Sequence, residues 1–334
     1  MGSATTDTTH EAPDRVPTGL ELTALDPRFR EDPYPVLHRL RALEPIHHDR
    51  VLGRVVFTRH DDVRAILYDL DLWTDPRRAR PDTFAWRFLR NGDEEPSMLL
   101  MDEPGHRRLR ALVSRSFTPG AVARWRPRVR EVARRLVAAV APGERDWIAE
   151  VAGPLPTVVI AELLGIEPSR HGDFKAWSDD AVLIGFNPDP AQDEIRRGER
   201  ARAALDTFFR EEIEARRRHP GDDLISEMLR AKAGDEQLTD DEIVRQCDLL
   251  LVAGNVTTTD LIGNGTKALA RHPEQQSTLR ARPEWIPNAV EETLRYDSPV
   301  TNSGRIASRD MEIGGTRIER GETLSVSLAA ANRD

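Results

Sequence analysis

The chain has 334 residues, of which 39% are hydrophobic and 31% charged, and this composition is typical of a soluble globular protein. Its formal net charge of −9 argues against a general role in nucleic-acid binding. Cys247 is the only cysteine, which excludes a disulfide framework and a cysteine-rich zinc site and favours a reducing cytoplasm. Because no apolar stretch approaches the ~20 residues needed to cross a bilayer, no membrane segment is expected.

The N-terminal part of the chain is predicted to contain a tail, two helices and a strand. Residues 1–18 are polar and predict a disordered tail, and no linker divides the rest, so one domain is predicted over 19–334. A helix is predicted to begin near Pro33. The β-branched stretch RVVFTRH predicts a strand, and a short helix capped by Asp61 follows it.

The stretch 74–98 is predicted to be a long loop because it is rich in proline and glycine. It carries three aromatic side chains, those of Phe84, Trp86 and Phe88. They serve either as core anchors or as the lining of a pocket, and the sequence leaves both interpretations open.

Helical patterns dominate the middle of the chain, in the segments 104–114, 120–140, 145–164, 171–184, 193–217 and 222–231. Thr239 and Glu242 then form a capping box, and the helix that they open is predicted to run to Arg271. At 1.5 Å per residue this helix would be ~48 Å long, as expected of a central helix. After a further helix in EWIPNAVEETLRYD, alternation and glycine turns predict a small antiparallel β unit in RDMEIGGTRIERGETLSVSLAA.

The centre of the long helix, DLLLVAGNVTTTD at residues 248–260, contains a glycine and a threonine cluster. Glycine costs a helix ~1 kcal/mol relative to alanine, and threonine is also a poor helix former. At helical spacing Gly254 shares a face with Thr257 and Thr258, so a gap in the helix surface lies beside two hydroxyl groups. The gap either accommodates a ligand or marks a crossing with another helix. Cys247 falls on roughly the same face, where a lone cysteine is usually an apolar packing residue.

Two further patterns contain charged residues at helical spacing. His106 and Arg110 in MDEPGHRRLRALVSRSFTP lie one turn apart, so they can hold an anionic group or form part of a solvated basic face. Glu292 and Arg295 in EETLRYDSPV form a Glu-x-x-Arg pair. Such pairs are common on helix surfaces, so the spacing alone does not indicate a function.

Taken in order, these stretches resemble the cytochrome P-450 family in its soluble bacterial form. The resemblance extends from about residue 20 to the end of the chain, in the stretches MDEPGHRRLRALVSRSFTPGAV, LLLVAGNVTTTDLIGNG, ALARHPEQ, VEETLRYDSPV, GRIASRDMEIGGTRIERGE and LSVSLAAANRD. It implies a mainly α single domain with small antiparallel β sheets, built around haem b (iron protoporphyrin IX).

The resemblance implies two roles for charged residues. His106, Arg110 and Arg305 match positions that bind the haem propionates. Glu292 and Arg295 match a buried ion pair that braces the core, and a pair of this kind is costly to break singly.

The resemblance also implies roles for the central helix. Ala253 and Gly254 match the place where this helix passes over the haem and oxygen binds. Thr257, with Thr258 beside it, matches the threonine that helps to deliver protons to the bound dioxygen. The positions that match the substrate pocket are Phe84, Trp86, Phe88, Leu250, Val300, Thr301 and the region 176–190.

Two features of the sequence depart from the family pattern. Val256 stands where the family commonly has an acid that relays protons, and valine cannot hold a proton, so slower or rerouted proton delivery is expected. The route would use Thr257, Thr258 and water, or a group of the substrate, and Asp260, one turn further on, would be a poor substitute for the acid. The family binds iron through a cysteine in a glycine-rich loop, and this chain ends at AANRD. The resemblance therefore implies a chain that is incomplete at its C-terminus, with no metal ligand of its own and the cysteine expected after Asp334.

The resemblance implies a haem-thiolate monooxygenase, an enzyme that hydroxylates or epoxidises an apolar small molecule with O2. The chain is expected to be a fragment of such an enzyme and to be inactive by itself. Electrons would come from a ferredoxin and an NAD(P)H ferredoxin reductase. The arginine-rich segment 124–135 is either a solvated face or a docking surface for that ferredoxin. The alternative is a haem-free relative that acts as an auxiliary partner, for example of a glycosyltransferase.

Overall fold

The computed structural model describes residues 15–90, 96–186, 191–233 and 236–334. They form a mainly helical fold with small β sheets, which confirms the predicted fold class. The chain packs into two compact units. The smaller unit contains the described residues up to Arg90 together with Val300–Asp334, and the larger unit contains those between Asn91 and Pro299. The single domain predicted over 19–334 stays a prediction, and residues 1–14 of the predicted tail lie outside the described residues.

The helices and strands are numbered in chain order. The α-helices are α1 (Pro27–Glu31), α2 (Tyr34–Leu43), α3 (His60–Tyr68), α4 (Gly105–Val113), α5 (Pro119–Ala139), α6 (Pro154–Leu163), α7 (His171–Phe186), α8 (Gln192–Arg218), α9 (Leu224–Arg230), α10 (Asp240–Arg271), α11 (Pro273–Ala281), α12 (Ile286–Tyr296) and α13 (Leu328–Ala331). The strands are β1 (Ile46–Asp49), β2 (Arg54–Phe57), β3 (Lys232–Ala233), β4 (Glu236–Gln237), β5 (Asn302–Ile306), β6 (Met311–Ile313), β7 (Thr316–Ile318) and β8 (Thr323–Ser327). Among the described residues, no helix combines the length and apolar character that crossing a membrane requires.

The smaller unit is organised around a four-stranded sheet in the order β1-β2-β8-β5. β2 pairs with β1 antiparallel and with β8 parallel, whereas β5 pairs with β8 antiparallel. Both central strands are buried along their whole length, and Phe57, Leu324 and Val326 contribute to the apolar core beneath them. The β-branched residues of RVVFTRH form β2 because a central strand is covered on both faces.

The predicted antiparallel unit is only partly correct. β6 and β7 form the expected hairpin, and Gly314 and Gly315 in its turn have φ angles of +57° and +80°, which favour glycine. β8 does not continue this hairpin. It leaves to pair with β2 and β5, because its fully buried pattern needs a neighbour on each side.

A buried carboxylate joins the N-terminal segment to the first hairpin. Asp49 accepts hydrogen bonds from Gly19 N (3.1 Å), Leu52 N (3.2 Å) and Arg54 Nε (3.0 Å). Burial lowers the pKa of Arg54, and the neighbouring Asp49 charge opposes that effect. The hydrogen bonds to Asp49 therefore help to offset the cost of burying the Asp49–Arg54 ion pair.

Several predicted boundaries need correction. α3 begins at His60 after Arg59, so Asp61 is not its cap; it lies in the first turn, where a carboxylate favours the helix dipole. The predicted helix 145–164 is divided into a short π-helix at Ile148–Ala152 and α6, because Pro154 has no N–H to donate and is best tolerated at the first position of an α-helix. The stretch 74–98 also contains a short π-helix at Ala85–Leu89, and its residues 91–95 lie outside the described part of the chain.

α10 confirms the longest predicted helix. Thr239 caps it, with Glu242 N donating to Thr239 Oγ1 (3.2 Å) and Thr239 N donating to Glu242 Oε2 (2.8 Å). The first half of α10 is buried in the core of the larger unit, where α7 and α8 contribute an aromatic cluster. In that cluster the ring centroids of Phe208 and Phe209 are 5.6 Å apart. α10 thus forms the axis against which the other helices of this unit pack.

Candidate functional site

Gly254 lies at a crossing between α10 and α6. A Cβ atom added at Gly254 would lie 2.8 Å from Cδ1 of Ile160, so the isoleucine fills the gap that the glycine leaves. Of the two interpretations of this gap, the described residues show the helix crossing. The predicted role of Gly254 toward a cofactor is not tested by this contact and stays a prediction.

Polar contacts hold the same crossing in register. The Thr157 hydroxyl of α6 lies 3.2 Å from Oδ1 of the buried Asn255, and it donates to Gly153 O at 3.0 Å. Thr259 Oγ1 donates to Ala152 O at 3.2 Å, in the short π-helix before α6. Together with the Ile160 contact, these bonds fix the rotation of α10 about its own axis.

This rotation leaves a different line of α10 accessible. Ala253 is exposed, and Thr257, one turn later, donates its hydroxyl to Ala253 O at 2.7 Å. Thr258 is also exposed, whereas Leu250 is half-buried and packs against the core of the larger unit. The back-bonded Thr257 satisfies its donor locally, and its hydroxyl oxygen keeps lone pairs that can accept a proton.

Cys247 does not have the surroundings of a metal ligand. It is fully buried in the apolar core, and burial raises the pKa of its thiol well above the usual value. A thiol ligates metal only as the thiolate, so this side chain is a packing residue. Within the part of the chain that the structure describes, no group of three His, Cys, Asp or Glu side chains could hold a metal ion.

The next residue of α10, Asp248, carries a perturbed carboxyl. Its pKa is raised to about 6, first by burial and then by the nearby Asp206 charge, while Arg202 acts in the opposite direction. The sequence prediction for this segment rested on its glycine and threonines and did not include Asp248. An acidic residue that begins the apolar run DLLLV was the available signal.

α4 presents a cationic face that can bind an anion. His106 Nδ1 lies 3.3 Å from Glu103 Oε1, whereas the exposed Arg110 has no carboxylate partner among the described residues. Arg108, between them in sequence, is bound to Glu242 of α10 (2.5 Å), which also raises the pKa of Arg108. α4 is therefore anchored to α10 by Arg108, and Arg110 remains available for a carboxylate such as a haem propionate.

The Glu292–Arg295 pair forms, with 2.6 Å between Oε1 and Nη2, and among the described residues its side chains are not covered, so the buried role that the resemblance implies stays a prediction. The two side chains are 58% and 47% exposed, respectively. α12 contacts α10 through Thr293, whose Cγ2 would lie 3.1 Å from a Cβ at Gly265. Helical geometry turns the charged pair away from that contact, toward solvent. At such exposure the pair contributes little to stability.

The candidate residues of the smaller unit occupy different environments. Trp86 packs against Ala79, Ala85 and Ile306, so it is a core anchor. Phe84 and Phe88 contact each other with ring centroids 5.0 Å apart, and Phe88 is 45% exposed.

The later candidates of this unit lie on or near β5. Val300 is exposed, and Thr301 O accepts a hydrogen bond from Ala329 N. Arg305 Nη1 donates to Gly304 O at 2.8 Å. In the other unit, residues 187–190 of the predicted pocket region 176–190 lie outside the described residues. The roles of all these residues stay predictions.

Comparisons with known proteins agree on one family. A family model for Cytochrome P-450 matches residues 174–282. Cytochrome P-450 109 of Bacillus spizizenii is 36% identical over 90% of this chain and 72% of its own length. The 6-deoxyerythronolide B hydroxylase of Saccharopolyspora erythraea is 37% identical over 92% of this chain and 77% of its own length. The structure of the open cytochrome P-450 Eryk from S. erythraea has a TM-score of 0.81 at 32% identity and covers 96% of this chain and 77% of that one.

Replacement of Asp248 by asparagine should stabilise the protein in a pH-dependent way. Because the folded-state pKa is raised from 3.8 to about 6, the folded protein binds this proton more tightly. The carboxyl therefore destabilises the fold above pH 6, and this effect disappears as the pH falls below the unfolded pKa. Asp248→Asn should raise the free energy of unfolding by about 1–3 kcal/mol at pH 7.5 and by much less near pH 4. Urea unfolding at both pH values measures the difference.

The control is Asp222→Asn, which changes an exposed carboxyl of the same unit. It should leave the free energy of unfolding within ~0.5 kcal/mol at either pH. An equal effect of Asp248→Asn at the two pH values would show that its titration is not the cause.

Proposed function

The chain belongs to the cytochrome P-450 family, and from this premise we propose that its residues form the haem-binding and proton-handling part of a monooxygenase. Such an enzyme inserts one atom of O2 into an apolar small molecule by hydroxylation or epoxidation. The observation that carries the proposal is the side of α10 that bears the exposed Ala253 and, one turn later, the half-buried Thr257, because the crossing at Gly254 holds this side in a fixed orientation. The 37% identity to a hydroxylase supports the reaction class.

The cofactor proposed is haem b, and α4 supplies residues that fit its carboxylates. Arg110 is exposed and lacks a carboxylate partner within the described residues, and His106 lies one turn before it. A guanidinium fork binds a carboxylate bidentately, which suits a propionate. Arg305 is proposed as a further propionate ligand on the strength of the family resemblance alone.

When bound, haem b supplies the oxygen-activating chemistry, for which the family also uses a cysteine thiolate. Cys247 is the only cysteine of the 334 residues, and its buried thiol is protonated. We therefore propose that this chain by itself binds haem without a thiolate and does not turn over substrate. A carbon-monoxide spectrum of the reduced complex should then lack the Soret band of thiolate-ligated haem.

The chain's own contribution to proton handling centres on Thr257. Its Oγ1 holds a proton in the bond to Ala253 O (2.7 Å), and it can pass that proton on while accepting another from water. Val256 holds no proton, so the acid of this relay must come from elsewhere. Asp260, one turn beyond Thr257, is the candidate because desolvation raises its pKa and so favours its protonated form.

The haem-free alternative is an auxiliary binding protein, for example a glycosyltransferase partner. One observation favours it, namely that Cys247 cannot act as an iron ligand. The available cationic face of α4 favours the haem protein instead, since a protein without haem has no chemical need for propionate ligands. Haem binding separates the two functions.

The redox partner proposed is a ferredoxin, reduced in turn by an NAD(P)H ferredoxin reductase. The basic residues on the surface of α5 support this choice of partner. The following arginines of α5 are exposed, and within the described residues none of them forms an ion pair or hydrogen bond with a carboxylate, although the Arg135 charge acts on Glu131: Arg124, Arg126, Arg130, Arg134 and Arg135. Arg128 is instead held by Glu162 of α6, at 2.5 Å, and by Glu131. An exposed helix with uncompensated positive charge is suited to an acidic partner.

Arg110→Gln should weaken haem binding by about tenfold, because it removes one charge-assisted bond to a propionate. Absorbance titration of the haem-free chain with haem measures the dissociation constant. The matched control is Arg107→Gln on the same helix, which changes a 79% exposed arginine already paired with Glu103. If both variants lose affinity equally, the assignment of Arg110 to a propionate is wrong. If the wild-type chain binds no haem at all, the haem-free alternative gains support.

Arg124→Glu/Arg135→Glu should weaken binding of an acidic ferredoxin by about tenfold at low salt, because it reverses two charges of the docking surface. Calorimetry at low and high sodium chloride concentrations measures the affinity, which should also fall with salt in the wild type. Arg196→Glu/Arg200→Glu on α8 is the control with the same change in net charge. Equal weakening by the control, or a salt-independent affinity, would contradict docking on α5.

A further inference from the structure

A chain of polar side chains in the smaller unit holds the N-terminal segment against the first β-hairpin. The segment runs from Thr18 through the short 3-10 helix Gly19–Leu22, and β1 and β2 form the hairpin. The chain of side chains, which we call the clasp, consists of Glu44, His47, Thr18 and Asp49. His47 of β1 lies in its middle and is buried, with 8% of its side chain exposed.

Four contacts build the clasp. His47 Nδ1 lies 3.1 Å from Glu44 Oε2, and His47 Nε2 lies 3.1 Å from Thr18 Oγ1. Thr18 Oγ1 in turn lies 3.2 Å from Asp49 Oδ1, to which Gly19 N also donates at 3.1 Å. The N-terminal segment is therefore attached twice to Asp49 and once to His47.

The protonation of His47 decides how many of these contacts are hydrogen bonds. The Glu44 carboxylate can only accept, so Nδ1 of the imidazole carries a proton in both states. In the neutral imidazole Nε2 is an acceptor and takes the single hydroxyl proton of Thr18, so the oxygens of Thr18 and Asp49 face each other without a proton between them. In the imidazolium Nε2 donates to Thr18 Oγ1, and the hydroxyl proton is then free to bind Asp49. Only the charged imidazole satisfies the whole clasp.

The charges of the clasp also balance only when His47 is protonated. Glu44 and Asp49 each carry a negative charge, and Arg54 of β2 supplies one positive charge through Nε, which donates to Asp49 Oδ2 at 3.0 Å. The side chains of Asp49 and Arg54 are 0% and 7% exposed, so charges here are costly to leave uncompensated. One positive charge is missing from this set, and the imidazolium supplies it.

The other elements packed against His47 do not supply that charge. Val56, opposite His47 on β2, is apolar. Glu21 accepts from Thr18 N at 3.1 Å. The charged side chains beside Thr18 compensate one another in the pairs Arg15–Glu21 and Arg28–Asp26.

We propose that the clasp is a pH-sensitive lock on the N-terminal segment, closed when His47 is protonated and loosened when its imidazole is neutral. Histidine is the side chain whose charge changes between pH 5 and 8, so the lock responds within the physiological range. Protonation and closure favour each other, so the segment is held more tightly as the pH falls and less tightly as it rises. Loosening frees Thr18 and Gly19, while Leu22 stays packed in its apolar cluster.

The lock goes beyond the proposed haem chemistry and does not depend on it. All the residues that carry it belong to the smaller unit, whereas α4 and α10 belong to the larger one. A chain that binds no haem keeps the clasp, and a chain whose clasp ignores pH could still bind haem.

Amide hydrogen exchange of the full chain, resolved to single residues, tests the lock. The reporter is the Gly19 amide, which donates to Asp49, and the reference is the Trp73 amide of the same unit, which donates to Ile306 O at 2.9 Å. Protection factors correct for the intrinsic effect of pH on exchange. The protection of Gly19 should be about tenfold higher at pH 6 than at pH 8, because the closed clasp gains a charge-assisted bond, while that of Trp73 changes much less. Equal protection of Gly19 at the two pH values would overturn the proposal.

His47→Gln should remove the pH dependence of Gly19 protection, because glutamine does not take up a proton in this range. The matched control is His48→Gln, which changes the exposed neighbour on β1 and should leave the pH dependence intact. Thr18→Val should also remove it, since valine cannot connect His47 to Asp49, and the half-buried position accepts a side chain of the same shape. A pH dependence that survives in His47→Gln would overturn the role of His47. Its loss in both histidine variants would point to surface charge in general and would overturn the clasp.

Discussion

The contact between Ile160 of α6 and Gly254 of α10 determines how the central helix of the larger unit is oriented. A side chain at Gly254 would meet Ile160 Cδ1 at 2.8 Å, so the two helices approach this closely only because one of them carries glycine. The Thr157–Asn255 bond fixes the same crossing. With this side of α10 packed, Ala253 and Thr257 are left accessible. The glycine thus acts through helix packing, and it sets which side chains α10 offers to a ligand.

Local signals in the sequence predicted local structure well. Thr239 and Glu242 lie three residues apart, and the capping box that they predict is present. Gly314 and Gly315 likewise predicted the turn of the β6–β7 hairpin. The pairing of β8 with β2 was not predictable in this way, because it joins segments far apart in the chain and depends on the burial of both strands. Long-range pairing is decided by the whole core and leaves no short motif.

The candidate site shows the same division between local and long-range information. The spacing of His106 and Arg110 predicted a cationic face on α4, and an exposed Arg110 is found there. The spacing of Glu292 and Arg295 showed that the two side chains can meet, and they do, but it could not show whether other elements cover them. The Ile160 side chain that fills the gap at Gly254 belongs to another helix, so the motif around Gly254 contained no sign of it. Family membership gives these residues a chemical context, and the packing of α10 decides which of them can act in it.

The central claim is that α10 presents Ala253 and Thr257, rather than the Gly254 gap, to a bound porphyrin. NMR of protein with isotope-labelled alanine, threonine and isoleucine methyl groups tests it most directly, during titration with diamagnetic zinc protoporphyrin. The methyl resonances of Ala253 and Thr257 should show large ring-current shifts, while the δ1 methyl of Ile160 stays at its original position because it remains packed on Gly254. A large shift of the Ile160 methyl, with Ala253 and Thr257 unchanged, would contradict this account of the central helix.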